Sequence, residues 1–194
     1  MPALPSNPSS VAKASASHDD AGLPLAAAIL DDLGVKGAVD QLLAEVAGQQ
    51  RRAGRVVRGL LMTYPDVAAG CAGDMVLVDI DTLDEYLVSQ PLGGGSNACR
   101  ADAQGFARAS RVLRDALAQQ PDLVIVNRFG RMEAEGEGFV EELLALMSAG
   151  VPMLTVVAER HLEAWQRFSG GATVLPAEAG AVAAWLERVL PTAD

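Results

Sequence analysis

The sequence predicts an α/β fold: a mostly parallel sheet flanked by helices, arranged as a three-layer sandwich with a β-hairpin insertion. Three observations predict it. Short apolar runs such as LAAAIL, LVIV and MLTVV have the length and continuity of strands buried on both faces. Between them lie longer stretches with apolar residues at helical spacing, and strands alternating with helices build parallel sheets through crossover connections. Half of the 194 residues are hydrophobic while only 4% are aromatic, so the core is expected to be aliphatic.

Taken in order, the first strand is 25–30 (LAAAIL), followed by a Gly-containing turn over 31–37 and an apolar-periodic helix over 38–47. Residues 56–62 (VVRGLLM) read as the second strand, with Arg51, Arg52 and Arg55 leading into it. The segments 75–80 (MVLVDI) and 85–89 (EYLVS) read as an antiparallel pair around a turn at 81–84, and 91–97 (PLGGGSN) as a loop by composition. Over 103–120 the residues Phe106, Ala109, Val112, Leu113, Ala116 and Leu117 recur at helical spacing, and Pro121 stops that helix. The run 123–126 (LVIV) is the strongest buried-strand signal. A helix over 139–148 closed by Gly150 and a strand at 153–157 (MLTVV) follow. Helical patterns at 160–169 and 179–190 enclose a short strand at 173–175, and Trp165 and Trp185 are expected in the core.

Composition excludes several function classes. With 25 acids against 15 bases the formal charge is −10, which repels a phosphate backbone overall, and aromatic stacking residues are scarce, so no nucleic-acid partner is expected. No apolar run reaches the roughly eighteen residues of a membrane helix, and no membrane partner is expected. Residues 1–22 are rich in Pro, Ser and Ala without an apolar stretch and read as a disordered tail, leaving 23–194 as one domain. Cys71 and Cys99 are too few for a disulfide scaffold and stand in no metal-ligand spacing. Neither His18 nor His161 has a second His or Cys nearby, so no metal site is expected, and a reducing cytoplasm is the expected compartment.

Ligands of open parallel sheets bind beyond the carboxyl ends of the strands, which singles out three loops. After LAAAIL, Asp31-Asp32-Leu33-Gly34-Val35-Lys36-Gly37-Ala38 stands where a nucleotide-binding protein carries its phosphate loop. Lys36 has no Ser or Thr after it, and the two aspartates repel a triphosphate. After LVIV, Asn127 and Arg128 occupy the place of the metal-binding and water-activating acids of a P-loop enzyme; Arg128 and Arg131 offer bidentate contacts to an oxyanion. The third loop is the strongest local signal. Gly94 and Gly95 free the backbone amides of PLGGGSNACR, Ser96 and Asn97 add donors, and Arg100 adds a fixed charge beside Cys99. The glycines read equally as a linker, and Cys99 as a low-pKa thiolate or a small packed thiol. The acids Glu133, Glu135, Glu137, Glu141 and Glu142 read as a solvated helix start.

Two blocks, LVIVNRFGRMEAEGEGF and VPMLTVVAERHLEAWQRFSGG, together with GSNACRAD, resemble a bacterial family of unknown function associated with molybdate-transport gene neighbourhoods. Cys99, Arg100 and Asp102 match that family's Cys-Arg-Leu-Asp pattern, which departs at Ala101. That family is in turn similar to THEP-type nucleoside-triphosphatases, whose Asp-Glu-Ile-Gly-Lys-Met-Glu motif is met here by Asn127 to Glu133, keeping Gly130, Met132 and Glu133 and losing both leading acids. Gly34-Val35-Lys36 likewise resembles the end of a Gly-Val-Gly-Lys-Thr-Thr loop with a glycine missing and both threonines gone.

The resemblance implies a degenerate P-loop NTPase-like scaffold without the hydrolase chemistry. The expected function is therefore non-catalytic binding of a small oxyanion such as molybdate, or of a nucleotide without Mg²⁺. The expected ligands to it are Gly94, Gly95, Ser96, Asn97, Cys99, Arg100, Asn127, Arg128 and Arg131, with Lys36 as a more distant cation. No resident cofactor is expected beyond that anion. Two alternatives are a residual nucleotide-dependent enzyme using Lys36 and Glu133, and a structural or regulatory domain meeting a protein partner through the acidic 133–142 segment; a homo-oligomer is a separate expectation for the partner.

Overall fold

A computed structural model describes residues 25–63, 75–91 and 99–190. The expected tail at 1–22, Cys71 and the Gly94 to Asn97 part of the glycine loop lie outside the described residues.

Among the described residues nine strands and six helices follow one another. They are β1 (Ala26–Asp31), α1 (Ala38–Arg52), β2 (Val57–Thr63), β3 (Val76–Asp79), β4 (Glu85–Leu87), β5 (Ser89–Pro91), β6 (Cys99–Ala101) and α2 (Ala103–Gln119). Then come β7 (Leu123–Phe129), α3 (Arg131–Ala134), α4 (Val140–Ser148), β8 (Met153–Ala158), a 3₁₀ turn (Glu159–His161), α5 (Leu162–Ser169), β9 (Thr173–Leu175) and α6 (Ala179–Val189). Seven strands form one sheet in the order β4-β3-β2-β7-β8-β1-β9. From β2 to β9 every neighbouring pair is parallel; β3 and β4 extend the sheet as an antiparallel hairpin beyond β2. This is the expected α/β sandwich with its hairpin insertion.

Strand alternation builds the two outer layers. On β1, Ala26 and Ala28 face a cluster that includes Leu113 of α2, Leu143 of α4 and Trp165 of α5. Ala27 and Ile29 face Leu43 of α1 and Trp185 of α6. Val124 and Val126 of β7 follow the first pair, Leu123 and Ile125 the second, because successive side chains leave a strand on opposite faces. Both tryptophans are in the core as expected, Trp165 edge-on to Phe129 with centroids 5.3 Å apart.

The expected EYLVS strand divides in two. Glu85–Leu87 pairs with β3, while Ser89–Pro91, read in part as loop, pairs with Cys99–Ala101 in a separate two-stranded ribbon. The buried Ser89 hydroxyl accepts the Met75 amide at 2.9 Å, which ties the ribbon to the start of β3. Asp102 then caps α2 by accepting the Gln104 amide at 3.0 Å.

Gly59 of β2 pairs with Ile125 of β7. Its φ is +120°, and a Cβ there would stand 1.9 Å from the Ile125 carbonyl oxygen. Gly59→Ala is expected to lose about 3 kcal/mol or more of stability, combining backbone strain with displacement of a central strand. Urea unfolding of the two proteins checks it; an unchanged midpoint would refute the register of β2 on β7.

Candidate functional site

A cavity of about 430 Å³ opens at the carboxyl ends of β2, β7 and β8. Its apolar wall comes from Met62, Met75, Phe106, Phe129 and Met132. Its polar side is formed by Asn127 and Arg128 of β7, Arg131 and Glu133 of α3, and Arg160 and His161 of the 3₁₀ turn. Ala101 at the end of β6 completes the rim, so the end of the cysteine-arginine segment and the turn after LVIV meet at one cavity. Cys99 and Arg100 are two and one residues upstream on the same short strand.

β7 is longer than LVIV alone predicts, running to Phe129, so Asn127 and Arg128 belong to the strand rather than to the loop beyond it. The extension brings them against the start of α1. Asn127 is buried and donates from Nδ2 to Asp40 Oδ1 at 2.5 Å. Arg128 reaches over β8, donating to both oxygens of Asp40 at 3.1 and 3.2 Å and to Asp31 Oδ2 at 3.0 Å. Asp40 is itself only 5% exposed, in the first turn of α1 where a carboxylate also suits the helix dipole. Arg128 therefore meets two carboxylates of its own chain where the sequence alone points to an oxyanion. The sequence signal available was Asp40 itself, polar at a position that helical spacing turns inward.

The loop after β1 enters α1 through Gly37, whose φ of +82° makes it the N-cap. Lys36 thus precedes the helix and is exposed. Counting a Gly-x-x-x-x-Gly-Lys-Ser/Thr loop to Gly37 sets Ala38 and Val39 where the lysine and hydroxyl belong, and Val39 is buried in the core. With no hydroxyl for Mg²⁺, and with Asp31 and Asp40 beside the helix start, these residues do not fit a magnesium nucleotide. Among the described residues no group of three or more His, Cys, Asp and Glu could hold a metal ion.

The acids expected on a solvated helix start divide. Glu133 is buried: Oε2 accepts the Gly130 amide at 2.9 Å and Oε1 the Phe139 amide at 3.2 Å. It folds the α3–α4 corner around itself because two backbone amides there have no helical partner. Burial pushes its pKa above the ordinary carboxyl value against those bonds, which lower it. Glu142 is also buried and binds Arg114 at 2.7 Å. Arg131 is exposed and bonded through Nε to Glu135 at 2.8 Å.

Arg160 and His161, adjacent in the 3₁₀ turn, carry no local motif that marks them as a site. At the cavity they form a pair. Arg160 Nε donates to His161 Nε2 at 3.2 Å, so the ring's proton sits on Nδ1. Burial first, then the Arg160 charge, lowers the His161 pKa and keeps the ring neutral. Arg160 makes no ion pair with a carboxylate among the described residues, in contrast to Arg128 and Arg131. Such a guanidinium, held through Nε with its terminal nitrogens outside that bond, is suited to a bidentate anion contact.

The family model described as a protein of unknown function, DUF2478, matches residues 26–185. The chain belongs to the DUF2478 family. It is also similar to the molybdenum import ATP-binding protein ModC 2 of Bradyrhizobium diazoefficiens, 40% identical over 148 residues. That stretch is 76% of this chain but 16% of the ModC 2 sequence, so the chain corresponds to a minor part of that protein. The mostly parallel seven-stranded sheet is consistent with a P-loop NTPase-like sandwich. In this DUF2478 member no helix of the described residues is long and apolar enough to cross a membrane.

Two outcomes follow from this geometry. Arg128→Ala strands Asp40 in the interior without its cation and is expected to lose about 3 kcal/mol in urea unfolding, whereas Arg131→Ala leaves the unfolding midpoint unchanged. Glu133 binds a proton more tightly folded than unfolded, so its stabilising contribution is complete below its ordinary value of 4.5 and fades as pH rises through the higher folded value. Relative to Glu133→Gln, which does not titrate, the parent should therefore lose stability as pH is raised above about 4.5; parallel pH profiles would contradict this.

Proposed function

We propose that this chain is a binding module of molybdenum uptake that holds an anion at the carboxyl edge of its sheet and does not hydrolyse nucleotides. The observation that carries the reading is Arg160, a cavity-side guanidinium held by a neutral histidine and without a carboxylate partner among the described residues. A ligand anion there gains a charge-assisted contact that the chain's own acids already provide for Arg128 and Arg131.

Two further points support it. The β1 loop has no hydroxyl residue after Lys36, and Asn127 and Arg128 stand in place of the acids that bind metal and activate water. The similar stretch of ModC 2 belongs to a molybdenum import ATP-binding protein, which favours a role beside molybdate import, on the cytoplasmic side, rather than in an unrelated pathway. Ala101, at the end of the strand that carries Cys99 and Arg100, lies on the cavity wall.

Thermal denaturation tests the reading with a panel running from molybdate, tungstate, sulfate and phosphate to organic carboxylates and nucleoside monophosphates. At about a hundredfold excess over Kd a ligand should raise the melting temperature by roughly 5–10 °C. Arg160→Gln should abolish the shift and Lys36→Ala should preserve it. No member of the panel raising the melting temperature would refute anion binding. Mg²⁺-dependent phosphate release from ATP or GTP that vanishes in Lys36→Ala would instead establish the enzyme.

A further inference from the structure

The cavity's walls and Arg160, the one cavity arginine without a carboxylate partner among the described residues, constrain the ligand more narrowly than anion binding alone, and the inference rests on that reading of the site. A volume near 430 Å³ corresponds to roughly fourteen waters of liquid density and lies within the range of sites for organic ligands. A tetrahedral oxyanion has the bulk of a few waters and would leave most of the space filled by solvent against apolar walls.

Those walls are three thioethers and two aromatic rings, Met62, Met75, Met132, Phe106 and Phe129. Methionines adapt to the edges and faces of aromatic ligands, and their sulfur contacts with rings are favourable. Phe129 packs against Trp165 and Phe168, each with its centroid 5.3 Å away, and Phe106 against Phe139 at 5.1 Å. The aromatic walls are therefore backed by packed neighbours, which lowers the entropy lost when a flat ligand settles against them.

The charges set the other end of the molecule. Arg128 is bound by Asp31 and Asp40, and Arg131 by Glu135, so their charges are already answered within the fold. Arg160 alone among the cavity arginines has no such partner in the described residues, which matches one carboxylate- or phosphate-type group rather than a polyanion. The two oxygens of Glu133 are occupied by the Gly130 and Phe139 amides.

We infer that the cavity at the ends of β2, β7 and β8 takes an aromatic organic anion, its ring body among Met62, Met75, Phe106 and Phe129 and its single anionic group on Arg160. The site is separate from the loop after β1, where a nucleotide's phosphates would lie in a P-loop enzyme.

Isothermal titration calorimetry on the full chain tests this with 2-naphthoate as the aromatic anion, 2-naphthamide as its neutral counterpart, acetate as an anion without a ring, and molybdate and sulfate as bare oxyanions. Binding of 2-naphthoate is expected to be at least about tenfold tighter than any of the other four. Arg160→Gln should weaken it about tenfold, and Ala101→Trp, which adds bulk at the rim without removing a polar partner, should do the same. Because Arg160 is exposed, its variant should fold even if Ala101→Trp does not, and melting curves identify which variants are folded. If molybdate or sulfate binds in an Arg160-dependent way and 2-naphthoate does not, the aromatic ligand class is overturned while anion binding stands. Binding of 2-naphthoate that survives Arg160→Gln unchanged, or survives a folded Ala101→Trp, overturns the assignment of the cavity. If none of the five probes binds, the aromatic inference falls, and anion binding falls with it if the wider melting panel is also silent.

Discussion

The buried carboxylate of Asp40 is the constraint on which the carboxyl edge of this sheet is organised. A carboxylate at 5% exposure is tolerable only if its charge is answered and its oxygens are bonded, and both demands are met from one strand, by the Asn127 amide and the Arg128 guanidinium. Because β8 lies between β7 and β1, Arg128 has to cross it to reach Asp31 and the head of α1. Three separate elements are thereby held in one arrangement. The Asn127–Arg128 pair is also where the β7–β8 ladder shifts register, between Val126 and Phe129.

This network fills the ground on which a P-loop enzyme performs its chemistry. The place of a metal-binding acid at the end of β7 is held by an amide and a cation, and the head of α1 offers carboxylates instead of a lysine and a hydroxyl. The polarity of the site is inverted relative to a phosphate-binding one, with two carboxylates, Asp31 and Asp40, gathered on the one guanidinium of Arg128. What the scaffold keeps is the general advantage of an open parallel sheet, a crevice beyond the strand ends. Here that crevice lies towards β2 and the α2 layer, lined by methionines and phenylalanines, with the Arg160–His161 pair as its polar anchor.

The corner that closes this crevice depends on a second buried acid. Glu133 joins the amides of Gly130 and Phe139, and Gly138, at a φ of +64°, leaves room for it, since a Cβ there would stand 2.2 Å from Glu133 Oε1. Burial raises the proton affinity of this carboxyl, so the corner tolerates the charge only because two backbone donors meet it. Asp40 and Glu133 are thus used alike, each exchanging solvent for fixed donors next to the cavity. The membership in DUF2478 over residues 26–185 covers both of them and the Arg160–His161 pair.

Much of the fold was legible in the sequence because its signals are local. The apolar runs at β1, β7 and β8, the helical spacing over α2, the stop at Pro121 and the three-residue β9 each follow from neighbours within a few positions, and the α/β class follows from their alternation. The site was legible only in outline. Asn127, Arg128 and Arg131 could be recognised as unusual at a strand's carboxyl end, but Asn127 meets Asp40 across 87 positions and Arg128 meets it across 88, and no local pattern encodes such a pair. The same reason hid the burial of Glu133 and Glu142 and the pairing of Arg160 with a cavity formed by β2, α2 and β7. By itself the sequence determined most of which segments are strands and helices and which residues of the P-loop motifs are replaced, since those depend on periodicity and residue type. Which cavity arginine carries no carboxylate partner among the described residues was decided by the tertiary structure, because that depends on the carboxylates that folding brings within bonding distance of each guanidinium.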